Sequence, residues 1–71
     1  MDVKILKFLV ELSKGCVDVI DLNAFYAKFP ASPSTSKELY RLKNMGFISI
    51  LEADDSINCI GVNQKALDYF K

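Results

Sequence analysis

The hydrophobic rhythm of this chain changes at Gly46, and that change limits the fold more than any other feature. Before it, apolar residues recur at spacings of three and four, the repeat of helices with one buried face. After it, residues 47–51 and 57–62 are rich in β-formers and are separated by the polar stretch 52–56, the layout of a hairpin. A chain of 71 residues has room for one core, so helices and hairpin must share it. A single domain over 1–71 in the α+β class is expected. A domain near this size buries only about 60% of its unfolded surface, so it needs a dense core or a partner chain.

The helical half divides at its punctuation. Residues 2–14 read as a first helix, with Ile5, Phe8, Leu9 and Leu12 as its buried face and Gly15 as its stop. Cys16 and Val17 form a short apolar step. Asp18 then reads as an N-cap, with Asp21 three residues on as a weak capping box, opening a second helix over about 19–28. Val19, Leu22, Phe25 or Tyr26, and Phe29 supply its stripe, and Pro30 ends it. Ser32 is the expected cap and Pro33 the first residue of a third helix over 33–45, with Thr35, Leu39 and Leu42 on one face and Gly46 as its left-handed end. A three-residue loop at 54–56 would gather Ile48, Ile50, Ile60 and Val62 on one face of the hairpin, whereas a two-residue loop would group Ile48 and Ile50 with Ile57 and Cys59; the first is preferred. Asn63 would cap a last helix over 64–71 that turns Ala66, Leu67 and Phe70 inward.

Composition removes several functions. Nine Lys+Arg balance nine Asp+Glu and there is no His. Bulk positive charge is therefore no basis for nucleic-acid or membrane binding, and the commonest general base and zinc ligand is missing. Two Cys cannot complete a four-ligand metal site. No nucleophile–base pair or Gly-rich phosphate loop can be assembled, so the chain is expected to be no enzyme and to carry no cofactor or metal. No apolar run reaches the roughly 18–20 residues of a membrane span, and Lys4, Lys7 and Glu11 interrupt any signal-peptide pattern. A cytoplasmic binding protein is expected.

The stretch Thr35-Ser36-Lys37-Glu38-Leu39-Tyr40-Arg41-Leu42-Lys43-Asn44-Met45-Gly46-Phe47-Ile48 resembles the recognition helix and start of the wing in MarR-like and related prokaryotic winged-helix regulators. Those have a small polar start followed by Leu-x-x-Leu-x-x-x-Gly-apolar-apolar. The stretch from Val62 to Phe70 is similar to the polar-capped helix that often follows the wing. The resemblance covers essentially the whole chain at superfamily level. It implies a winged helix-turn-helix: three helices, an antiparallel hairpin as the wing and a closing helix. It also implies a small prokaryotic or phage DNA-binding protein, a transcriptional regulator reading the major groove of double-stranded DNA with the third helix.

Charge along the chain both favours and opposes this. Over 28–43, Lys28, Lys37, Arg41 and Lys43 against Glu38 leave a local +3. Over 52–56, Glu52, Asp54 and Asp55 leave −3, at a wing tip where DNA readers usually present Arg or Lys. Lys37 and Arg41 are the base-edge candidates, and Ser34, Thr35, Ser36, Tyr40 and Lys43 the supporting ones. A solvated helix face is the plainer account of the same cations, and capping the plainer account of the hydroxyls. The acidic tip is more simply a solvated turn than a cation site.

The first helix is apolar over roughly 220° of its circumference. Its second stripe, Val3, Leu6 and Val10, must be covered by the closing helix through Leu67, Tyr69 and Phe70, by a second copy, or by both. A homodimer through Val3, Leu6, Val10, Leu67 and Phe70 is expected. The alternative function is a winged-helix protein–protein module, on the strength of zero net charge, the acidic tip and a surplus of apolar residues, Phe47, Leu51 and Ile57, that could lie outside the core. Cys16 and Cys59 could be neighbours if the step after the first helix pairs with the second strand; two reduced, mostly buried thiols are the simpler expectation.

Overall fold

In a computed structural model, which describes residues 3–71, the chain runs α1 (Val3–Leu12), α2 (Leu22–Lys28), α3 (Pro33–Asn44), β1 (Ile48–Ala53), β2 (Ser56–Val62) and α4 (Gln64–Tyr69). The class is α+β, with four helices and one antiparallel hairpin. One apolar cluster joins every element. Leu6, Leu9, Phe25, Leu39, Leu42, Ile60 and Ala66 are fully buried, with Ile5, Ile20, Phe47, Ile48, Ile50 and Val62 nearly so. Phe25 settles the choice on α2: its ring lies 5.6 Å from Phe29 and 6.2 Å from Phe8, while Tyr26 is half-buried.

Both long helices end in the same hydrogen-bonded device. In α3, Gly46 N–H bonds the Lys43 carbonyl and Phe47 N–H reaches back to Leu42, both at 3.0 Å. Gly46 carries φ +85° there, a conformation that favours glycine. In α1 the equivalent position falls on Lys14 (φ +58°), with Gly15 also left-handed at φ +71°. Lys14 N–H bonds Glu11 and Gly15 N–H bonds Val10. The helix expected to reach residue 14 therefore stops at Leu12, and the start expected at residue 2 lies outside the described residues. Phe8 and Leu12, expected on its buried face, are only half-buried.

The second helix starts later than its first acidic residue suggests. Asp21, not Asp18, is the N-cap: its carboxylate accepts from Asn23 N–H at 3.0 Å and Ala24 N–H at 3.3 Å. Residues 18–20 are instead drawn into the sheet. Val62 N–H donates to the Asp18 carbonyl and Ile20 N–H to the Ile60 carbonyl, both at 2.9 Å, bracketing a bridge between Val19 and Gly61. This extended pairing buries Ile20 and leaves Val19 58% exposed, so Val19 is no part of the α2 stripe. The same register separates the cysteines. Cys59 lies on the Asp21 side of the bridge and Cys16 on the other, both thiols are free, and Cys16 is exposed rather than buried.

The hairpin reaches the expected facing by a different route. Its turn has two residues, Asp54 and Asp55, at φ +53° and +62°, the mirror-type turn that matches strand twist. A regular ladder from that turn would send Ile60 and Val62 to the wrong face. An extra residue, Asn58, interrupts the ladder: Glu52 pairs with Ile57, but Leu51 pairs with Cys59. The bulge restores the parity, so Ile48 faces Val62 and Ile50 faces Ile60.

Asn63 sits at the start of α4 without capping it through its side chain. Its amide donates to the Gly46 carbonyl and its oxygen accepts from Ser49 Oγ, tying the base of the hairpin to the end of α3. Lys65 donates to the Met45 carbonyl, the C-terminal end of α3, and lies 4.8 Å from the Phe47 ring centre. Only Ala66 of α4 is fully inward. Leu67 is half-buried and Phe70, expected inside, is 36% exposed.

The apolar stripe reserved for a second copy is largely covered from within, because α1 packs on both α2 and α4. Leu6 is fully buried in its own chain and is unavailable to any interface. Val10 and Leu67 pack half-buried on the core, leaving Val3 and Phe70 exposed. Phe47, expected as surplus surface, is 4% exposed, and Ile57 is half-buried. Among the described residues no helix is long and apolar enough to cross a membrane.

Because the bulge consists of one residue, deleting Asn58 should leave every remaining strand pair in place. The deletion variant is expected to fold with a stability within about 1 kcal/mol of the parent, read by urea unfolding. Loss of the cooperative transition would show that the bulge serves more than register.

Candidate nucleic-acid interface

The side chains of α3 sort by direction around its axis at about 100° per residue. Leu39 and Leu42 point inward and are fully buried, with Thr35 beside them. The opposite side carries Lys37, Arg41 and Asn44, all exposed. Asn44 escaped the reading of the sequence although its spacing of seven from Lys37 puts it on the same face. An amide there adds the side chain suited to adenine edges to two suited to guanine.

Ser32 caps the helix, its Oγ accepting from Thr35 N–H at 3.1 Å, and Pro33 occupies the first turn. The Thr35 hydroxyl donates to the Pro30 carbonyl at 3.0 Å and also pairs with Ser32 Oγ. It is therefore spent in the turn and turned away from the outer face. Ser34 is exposed, its Oγ 3.2 Å from that of Ser32. Arg41 approaches Glu38 at 3.9 Å, a loose pair with the guanidinium side chain still 52% exposed. At that separation in water the attraction leaves the guanidinium available to a stronger acceptor.

Ser36, Tyr40 and Lys43 lie on the flank toward the hairpin. Ser36 and Tyr40 line one groove with Tyr26, Ala31, Asp55, Ser56 and Ile57. The Lys43 ammonium sits 5.9 Å from the Tyr40 ring centre. Tyr40 is braced against the hairpin. Burial pushes its phenol above the ordinary tyrosine value; the nearby Glu52 carboxylate acts in the same direction, as does Tyr26. The acidic turn is thus close beside α3: Glu52 stands near Tyr40, and Asp55 borders the groove that Ser36 lines.

The face offers two cations, an amide and a hydroxyl on a rigid capped helix about 10–12 Å wide, dimensions that suit a major groove. Among the described residues no three acidic or thiol side chains converge to hold a metal ion. No protein family model, curated protein or solved structure matches the chain.

The fold favours the neutral Tyr40 phenol, whose folded value is raised. The resulting stability is fully present below the unfolded value near 10 and is lost as pH rises through the folded one. Glu52→Gln should move the Tyr40 titration down toward the ordinary tyrosine range, followed by NMR of the ring carbon bearing the hydroxyl. An unchanged midpoint would show that burial alone sets it.

Proposed function

We propose that the chain is a winged-helix DNA-binding protein, a small transcriptional regulator of prokaryotic or phage type acting as a homodimer in the cytoplasm. The observation that carries the reading is the outward face of α3, where Lys37, Arg41 and Asn44 stand exposed above a helix anchored by Leu39 and Leu42. The order of three helices, hairpin and closing helix supports the same reading, with the hairpin as wing. Lys37 and Arg41 read base edges in the major groove, Asn44 extends the reading edge, and Ser34 and Lys43 steady the phosphates.

The wing is used differently from a basic one. Asp54 and Asp55 at its tip, with Glu52 behind them, repel a phosphate backbone. DNA therefore approaches from the Lys37–Arg41 side, with the tip directed away from it. With so few cationic contacts one copy holds DNA weakly at physiological salt. Two copies spaced about one helical turn apart, roughly 34 Å, gain affinity through linkage.

A second reading is a winged-helix protein–protein module. Val17, Val19 and Leu51 favour it: each is more than half exposed, and Val19 and Leu51 lie on the outer face of the sheet.

Amide chemical shifts titrated with random duplex DNA separate the two. Movement centred on 34–44 supports DNA binding, and no movement supports the protein module. Replacing Lys37 and Arg41 together by Ala should weaken DNA binding at least ~30-fold, with far-ultraviolet circular dichroism unchanged. Undiminished affinity would move the DNA surface elsewhere.

A further inference from the structure

The net charge of zero conceals two opposite poles. One is the hairpin tip, where Glu52, Asp54 and Asp55 are all exposed on a narrow two-residue turn. The other is a cleft of about 390 Å³ between α1 and α2, lined by Lys4, Lys7, Phe8, Glu11, Lys28 and Phe29. Three lysines and one glutamate line it, and two half-buried rings form its apolar part. The Lys28 ammonium stands 4.6 Å from the Phe8 ring centre and 5.9 Å from that of Phe29. The cleft thus presents fixed positive charge above apolar surface, a match for a narrow, projecting element that carries carboxylates next to aliphatic side chains.

We infer that the acidic hairpin tip of one copy of this chain seats in the Lys4–Lys7–Lys28 cleft of a second copy. The tip supplies carboxylates from Asp54 and Asp55 to the lysines. Leu51 and Ala53 place aliphatic surface on the adjacent outer face of the hairpin. A chain's own tip does not fill its own cleft, because Asp55 borders a different groove, with Tyr26, Ser36 and Tyr40. The contact therefore forms between molecules. This contact replaces the Leu6-centred interface expected from the sequence, and it stands independently of DNA binding. Where DNA is bound, it neutralises the carboxylates that would otherwise repel phosphate beside α3.

The contact is tested by reciprocal charge exchange in sedimentation velocity, without DNA. The parent protein at about 0.2 mM should self-associate in roughly 50 mM NaCl and at least ~10-fold more weakly near 500 mM, where screening shortens to a few ångströms. Lys4→Glu with Lys7→Glu should sediment as a monomer, as should Asp54→Lys with Asp55→Lys. Lysine already occupies left-handed backbone at Lys14 of this chain. Should the lysine pair fail to fold, Asp54→Asn with Asp55→Asn keeps residues that tolerate the turn and should also be monomeric. Mixing the Glu cleft variant with the Lys tip variant gives complementary surfaces in both directions, and the mixture should associate although neither component does alone. A monomeric parent at low salt, variants that associate like the parent, or a mixture of folded variants that stays monomeric would each overturn the contact.

Discussion

The joint between α3 and the hairpin is the constraint on which the rest depends. Leu39 and Leu42 dock the helix, Gly46 reverses the chain in one residue, and Phe47 and Ile48 re-enter the same core. The joint is closed a second time from the chain beyond β2, by Asn63 on the Gly46 carbonyl and by Lys65 of α4 on the Met45 carbonyl. A helix held at both its inner face and its C-terminus has one orientation. That orientation decides which side chains are left outside: with Leu39 and Leu42 inward, Lys37, Arg41 and Asn44 cannot be anything but outward.

Hydrogen-bonding residues here are used where the backbone most needs them. Asp21 supplies the cap that Asp18 does not, because the Asp18 carbonyl is taken by Val62. Thr35 is absorbed by the turn before α3, and Tyr40 packs half-buried beside the hairpin. These last two take polar groups out of the candidate interface and add stiffness behind it. The outer face keeps Lys37 and Asn44 exposed, with Arg41 held only by its loose pair to Glu38.

Electrostatic arrangement matters more in this chain than electrostatic total. Equal numbers of acids and bases sum to zero, yet three of the nine acids cluster at the hairpin turn and three lysines line the α1–α2 cleft. A separation of that kind lets a neutral protein act as two charged ones over distances shorter than a Debye length.

Much of this was legible in the order of residues. Apolar spacing located every helix and both strands; Gly46 and the Ser32–Pro33 pair marked the ends of α3, and gathering four large apolar side chains on one face chose the facing of Ile48, Ile50, Ile60 and Val62, although the three-residue loop expected to produce it is in fact a two-residue turn with a bulge. These are local properties, set by backbone geometry within a few residues. What the sequence could not settle were choices between local options of similar free energy. Residues 18–20 can begin a helix or extend a sheet, and only the presence of β2 alongside selected the sheet. A two-residue turn with a bulge and a three-residue loop give the same parity, and strand twist selected the first. Leu6 and Val10 form a stripe that a partner or the chain itself might cover, and the packing of α1 between α2 and α4 decided it. Periodicity therefore determined the elements and the outward cations of α3. The position of the third strand segment at 18–20 rather than at the Cys16–Val17 step, the bulge, the closed α1 stripe and the lysine cleft came only from tertiary structure, because each depends on which distant segment arrives to satisfy the same backbone or apolar surface.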